Sequence, residues 1–296
     1  MIRRLSLLAL ALALLCRVPA IGEESEALRV SYLGPAGTYT EEAAQYWFQT
    51  DATLIPRDTV GDALEDLLEG RAERAVIPQE NTLGGAVVNY VDALIAAEAA
   101  YVVGEVVLPI SQTLMGVPGA TLADIQTVCS HAQGLTQSAA WRAEHLPNAG
   151  TEEMPSTAAA ASHVAERQDK TIAAVAAPGA AALYGLEVLA ENVQITDTNK
   201  TRFYVLSRDP AAGEGLTRAV LMATCGADRI DDVIIALHDA GLEMVCLHDR
   251  PEGSRLGSYH YVIEVENGAG ISDAQLEAVQ SMEDVRFAGC FDAVEK

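Results

Sequence analysis

Between Leu28 and Leu206, short apolar runs alternate with amphipathic stretches, and this alternation restricts the fold more than any other feature of the chain. "LRVSYL", "RAVIP", "VVGEVVLPI", "IQTVCS", "TIAAVAA" and "TRFYVL" read as strands. The segments between them read as helices. In "VGDALEDLLEGRAE", Ala63, Leu64, Leu67 and Leu68 fall on one helical face. Strands separated by helices predict α/β layers with mainly parallel sheets. Residues 208–217 are a linker by composition. Beyond it the order becomes β-α-β-β-α-β over 218–296, the pattern of a ferredoxin-like domain. Half of the 296 residues are hydrophobic while only 5% are aromatic, which suits helices packed on sheets better than an all-β sandwich.

The formal charge of −23 argues against nucleic acid as a partner, since phosphate binding needs Lys and Arg. Residues 1–20 carry Arg3 and Arg4, an apolar run from Leu5 to Cys16, and Val18-Pro19-Ala20. This is the pattern of a cleaved signal peptide, and it predicts export to a periplasm or the exterior, with a cytoplasmic or organellar location as the alternative. No second apolar run reaches membrane length, so no membrane contact is expected once the leader is removed. The spacing of Cys129, Cys225, Cys246 and Cys290 contains no CxxC pair, and His238, His248 and His260 form no metal-binding pattern. Buried free thiols are expected, with one disulfide among Cys225, Cys246 and Cys290 left open.

Four polar patches interrupt the apolar segments near strand ends, where ligands bind in open α/β sheets. They are Gly34 to Tyr39, Glu80-Asn81-Thr82, Ser130-His131, and Asn199 to Phe203. Thr38 or Thr40 can cap a helix whose first turn holds Glu41 and Glu42, and Ser130 is a candidate cap for the helix that follows "IQTVCS". Lys200 and Arg202 bracket Thr201, and two cations in an acidic chain suggest a site for an anion. Against this, alternate strand residues point to opposite faces, which would send the cations elsewhere.

Taken together, "YLGPAGTYTEEAA", "VIPQENTLGGAV", "SHAQGLTQ", "STAAAA", "AAPGAAALYGL" and "NKTRF" resemble the motifs of prephenate dehydratases, in order and spacing, from about Val30 to Leu206. The segment after the linker resembles the ACT regulatory domain of those enzymes. The resemblance implies a two-lobed, periplasmic-binding-protein-like catalytic region over 28–207, with its active site in the inter-lobe cleft. It implies conversion of prephenate to phenylpyruvate without a metal or organic cofactor. Thr201 matches the threonine implicated in helping hydroxide to leave. Glu80, Asn81, Thr82, Ser130, His131, Gln137, Asn199 and Arg202 match the substrate-positioning set, with Glu80 alternatively orienting its loop through backbone N–H groups. Gly226, Ala227, Asp249, Arg250 and Pro251 match the segments that form a phenylalanine effector site, and a homodimer or homotetramer is implied.

The chain departs from the family's pattern at several points. Thr82 stands for a usual serine, Gln112 for a common histidine, and Ile195 for a frequent aspartate. Asp228 places a charge where an apolar residue is expected, and burying it unpaired would be costly. No chorismate mutase segment precedes the catalytic block, which predicts a monofunctional chain. Arogenate, which differs from prephenate by an amino group, is the alternative substrate. A non-catalytic exported binder of aromatic or amino acids is the alternative from another class.

Overall fold

The computed structural model describes residues 27–211 and 215–296, so the leader expected over 1–20 and the centre of the linker lie outside the described residues. The first lobe is built from β1 (Leu28–Leu33), α1 (Tyr39–Phe48), β2 (Ala52–Arg57), α2 (Val60–Leu68), β3 (Arg74–Asn81), β4 (Gly85–Ala86), α3 (Val88–Ala96) and β5 (Tyr101–Pro109). The chain then crosses into a second lobe. There it forms β6 (Thr113–Gly116), a 3-10 turn at Leu122–Asp124, β7 (Thr127–Ser130), α4 (Ala132–Gln137), α5 (Ala139–His145) and β8 (Gly150–Glu153). This lobe is completed by α6 (Thr157–Arg167), β9 (Ile172–Ala176), α7 (Pro178–Tyr184) and β10 (Glu187–Ala190). The chain crosses back as β11 (Lys200–Ser207). The C-terminal unit is β12 (Arg218–Gly226), α8 (Ile230–Asp239), β13 (Glu243–Pro251), β14 (Ser258–Glu266), α9 (Asp273–Gln280), β15 (Val285–Phe291) and β16 (Ala293–Glu295).

The sheets are mixed rather than mainly parallel, which corrects the reading from the sequence. In the first lobe the order is β16-β5-β11-β3-β1-β2, with β4 on β3. Strands β1, β2 and β3 pair parallel, but β11 runs antiparallel to both β3 and β5. The cause is the second crossing. Because β11 enters from the other lobe, its first residues lie beside the last residues of its neighbours, and Thr201 pairs with Asn81 and Leu108. The second lobe's order is β10-β6-β9-β7-β8, with β6 antiparallel to β9 and β10.

The C-terminal sheet has the order β13-β14-β12-β15, as a βαββαβ unit requires. One face packs under α8 and α9 through Val233, Leu237 and Val279. The other joins the first lobe's core, where Val220, Met222, Val262 and Phe291 meet Leu64, Ile77, Tyr90 and Tyr204. The chain does not end on the final ferredoxin strand, as expected, because β16 crosses over and pairs parallel with β5. Gly289 makes this close approach feasible. Its φ is +133°, and a Cβ there would come within 2.1 Å of the Val102 carbonyl oxygen.

Candidate active site

The two lobes face each other across a cavity of about 260 Å³. Its floor is the start of β11, with Thr201 and Phe203, and its walls carry Asn81, Gln112, His131, Gln133 and Gln137. Two helices of ten and eleven residues open onto it through their N-termini. Thr38 caps α1 by accepting from the Glu41 N–H, and Ser156 caps α6 by accepting from the Ala159 N–H at 2.9 Å. The lining residues include no Lys, Arg, Asp or Glu. The groups it offers an anion are therefore hydroxyls, amides, one imidazole and helix N-termini.

Asn81 organises the centre. Its side-chain Nδ2 donates to Thr201 Oγ1 at 2.9 Å and to Asn199 Oδ1 at 2.8 Å. Its Oδ1 accepts from the Gly84 N–H and from Gln133 Nε2, both at 2.9 Å, so one amide ties β3, β11 and the second lobe together. With the Thr201 oxygen engaged as an acceptor, its own proton has no protein acceptor among the described residues and is free for a bound molecule. Gln112 Nε2 donates to Gln137 Oε1 at 3.0 Å, which leaves the Gln137 amide N–H groups unclaimed at the wall. His131 caps α4 by accepting from the Gln133 N–H at 3.3 Å.

Several sequence-predicted residues do something else. Ser130 is buried, does not cap α4, and donates to the Val175 carbonyl at 2.6 Å. Gly134 is needed beside it, because a Cβ there would lie 2.3 Å from the Ser130 hydroxyl. The Thr82 hydroxyl exchanges hydrogen bonds with the Lys200 backbone at 3.0 and 3.1 Å and does not line the cavity. Asn199 supports Asn81 from behind and also stays off the lining, with its Nδ2 buried and unpartnered. Glu80 does not orient its loop through backbone groups but faces Arg202 at 3.3 Å.

Arg202 requires the largest correction. It points away from the cleft into a cluster with Glu105 of β5, Glu264 of β14 and Arg218 of β12. Arg218 Nη1 lies 3.1 Å from Glu105 and 3.0 Å from Glu264, and the Tyr204 hydroxyl donates to Glu264 at 2.6 Å. Burial pushes the Glu105 carboxyl upward against the pull of Arg202. Lys200 pairs with Glu295 on β16. Strand alternation thus sends both cations off the cleft, which removes them as direct partners of an anion.

The sequence reading also missed Gln133 as a cavity residue. A signal existed, because Gln133 and Gln137 are four apart and share a helical face. In the C-terminal sheet, Gly226 pairs with Ser258 and Pro251 with Tyr259, so the predicted effector segments share one end of the sheet. Ala227 donates from its backbone to the Gly257 carbonyl at 2.8 Å. Asp228 and Asp249 are exposed, and Arg250 pairs with Asp92 of α3 at 2.6 Å. Cys129, Cys225, Cys246 and Cys290 are all free thiols.

A sequence profile for prephenate dehydratase matches residues 30–211. A prephenate dehydratase of Amycolatopsis methanolica is 32% identical over 271 residues, covering 89% of this chain and 88% of its own. Arogenate dehydratase 5 of Arabidopsis thaliana is 39% identical over 183 residues, covering 62% of this chain and 43% of its own. The crystal structure of a prephenate dehydratase from Arthrobacter aurescens, in complex with L-Phe, superimposes with a TM-score of 0.82 at 31% identity, covering 90% of each chain.

Proposed function

The chain belongs to the prephenate dehydratase family, and from that footing we propose that it converts prephenate to phenylpyruvate. The observation that carries the reading is the Thr201 hydroxyl, fixed as an acceptor by Asn81 and left with its proton facing the cavity. Prephenate is a dianion. Its carboxylates fit the N-termini of α1 and α6 and the free amide of Gln137. Loss of CO2 leaves its electron pair to aromatise the ring, and the ring hydroxyl departs as hydroxide. Hydroxide is a poor leaving group, and a positioned donor typically contributes about 10²–10⁴-fold to such a step. Thr201 donates a hydrogen bond to the departing hydroxide and keeps its own proton, and the hydroxide is protonated by solvent after release.

We further propose that the C-terminal βαββαβ unit is an ACT-type effector module for phenylalanine, as the L-Phe complex of the Arthrobacter relative suggests. The experiment is direct. Purified protein is given prephenate or arogenate side by side, and phenylpyruvate and phenylalanine release are followed. Faster phenylpyruvate release supports the reading, while turnover of neither substrate removes it. The identity shared with the Arabidopsis enzyme favours arogenate as the second reading, and this assay decides between them.

A further inference from the structure

Three side chains that the dehydratase chemistry does not use converge at the edge of the second lobe. Cys129 on β7 and Glu152 on β8 stand directly opposite each other in the parallel ladder, with Sγ 3.8 Å from Oε2. Helix α6 packs over Cys129 through Ala160, Ala161 and Val164, and His163 sits among them. One donor atom from each of Cys129, Glu152 and His163 lies within 4.8 Å of the other two. A tetrahedral Zn²⁺, with sulfur at about 2.3 Å and carboxylate oxygen at about 2.0–2.2 Å, holds those two atoms about 3.5 Å apart. The sulfur–carboxylate separation found is therefore close to a bound one, and the His163 nitrogen lies within 4.8 Å of both atoms.

We propose that Cys129, Glu152 and His163 form a site for a borderline-soft divalent cation of the zinc class, completed by water. A mixed sulfur, nitrogen and oxygen set suits this class and not Mg²⁺ or Ca²⁺, which take oxygen ligands. Burial falls from Cys129 through His163 to the exposed Glu152, so an ion and its water have an entry path. The Glu152 carboxylate facing the Cys129 sulfur supplies the negative charge that a cation between them would meet. Binding would release the thiol proton and place a cation between sulfur and carboxylate. The site would join β7, β8 and α6, and α6 carries Ser156 and Thr157 at the cleft. It is therefore a staple behind the second lobe's wall, and none of its ligands lines the cavity.

The test is Co²⁺ titration of the purified full chain, freed of metal by a chelator. The expected result is one equivalent bound, with a thiolate-to-cobalt charge-transfer band and intense tetrahedral visible bands, both erased by Zn²⁺. Cys129→Ser should remove the charge-transfer band. His163→Ala and Glu152→Gln should each weaken binding by at least about tenfold. Circular dichroism of each variant shows whether the fold is intact. The proposal is overturned if the folded wild type shows no charge-transfer band, or if the band survives in a folded His163→Ala, Glu152→Gln double variant at unchanged affinity.

Discussion

Thr201 and Arg202 are adjacent on β11 yet occupy opposite environments. Thr201 faces a cavity lined by no Lys, Arg, Asp or Glu. Arg202 faces the C-terminal unit, where two guanidinium groups meet Glu105 and Glu264, whose carboxylates are almost completely buried. The difference shows how an acidic chain can keep an anion site. A cation here readily acquires a carboxylate partner, and Lys200, Arg202, Arg218 and Arg250 have all done so. The amides carry no charge to be paired off, and although Glu41 and Glu42 stand in the first turn of α1, the first turn of α6 holds no acidic residue, so its N-terminus remains available to substrate. Charge on the far face joins domains, and oriented dipoles on the near face meet the ligand.

Breaking the far face should give the largest change. Arg202→Met leaves Glu105 and Glu264 with Arg218 alone, and removal of one partner from a buried ion cluster costs about 3–5 kcal/mol. Denaturant unfolding should report this loss. The near face responds differently. Asn81→Asp cannot donate to Thr201 or Asn199 and adds a carboxylate beside the substrate. Turnover should fall about 10–100-fold, a barrier increase of about 1.4–2.7 kcal/mol, with a loss of stability smaller than that of Arg202→Met.

A smaller effect comes from His248, whose Nδ1 meets the Tyr90 hydroxyl across the domain junction. Burial holds its imidazole below the ordinary value, so the unfolded chain takes up this proton first. Its contribution to stability is therefore complete above about pH 6.5 and declines as pH falls toward the lowered value. Melting temperatures measured from pH 7.5 to 5.5 should slope downward, and His248→Gln should flatten that slope. The exposed tail pairs come last. Lys296→Ala, which removes the contact with Glu42 at 2.8 Å, should cost about 0.2–1 kcal/mol, less in high salt.

The near face was legible in part, through Asn81, His131, Gln137 and Thr201. Strand and helix periods located the polar patches, and the crossing of β11 brought Asn81 and Thr201 together as expected of two strand ends. The far face was not legible, because its partners are distant in the chain. Nothing local to Arg202 indicates Glu105 or Glu264, which lie 97 and 62 residues away. The direction of β11 depends on a crossing that no periodicity encodes. The Ser130 hydroxyl looked like a cap because caps are local, whereas its acceptor is on β9, 45 residues on. Strand β16 was hidden because three residues are too few to show a period.

The contrast between the faces depends on the Thr201 hydroxyl. Steady-state dehydration of prephenate by wild type, Thr201→Ser and Thr201→Val measures that hydroxyl with shape nearly held constant. The serine variant should stay within about tenfold of wild type, while the valine variant should lose at least about 10²-fold in kcat with KM and melting temperature little changed. A valine variant that turns over prephenate at the wild-type rate would contradict the account.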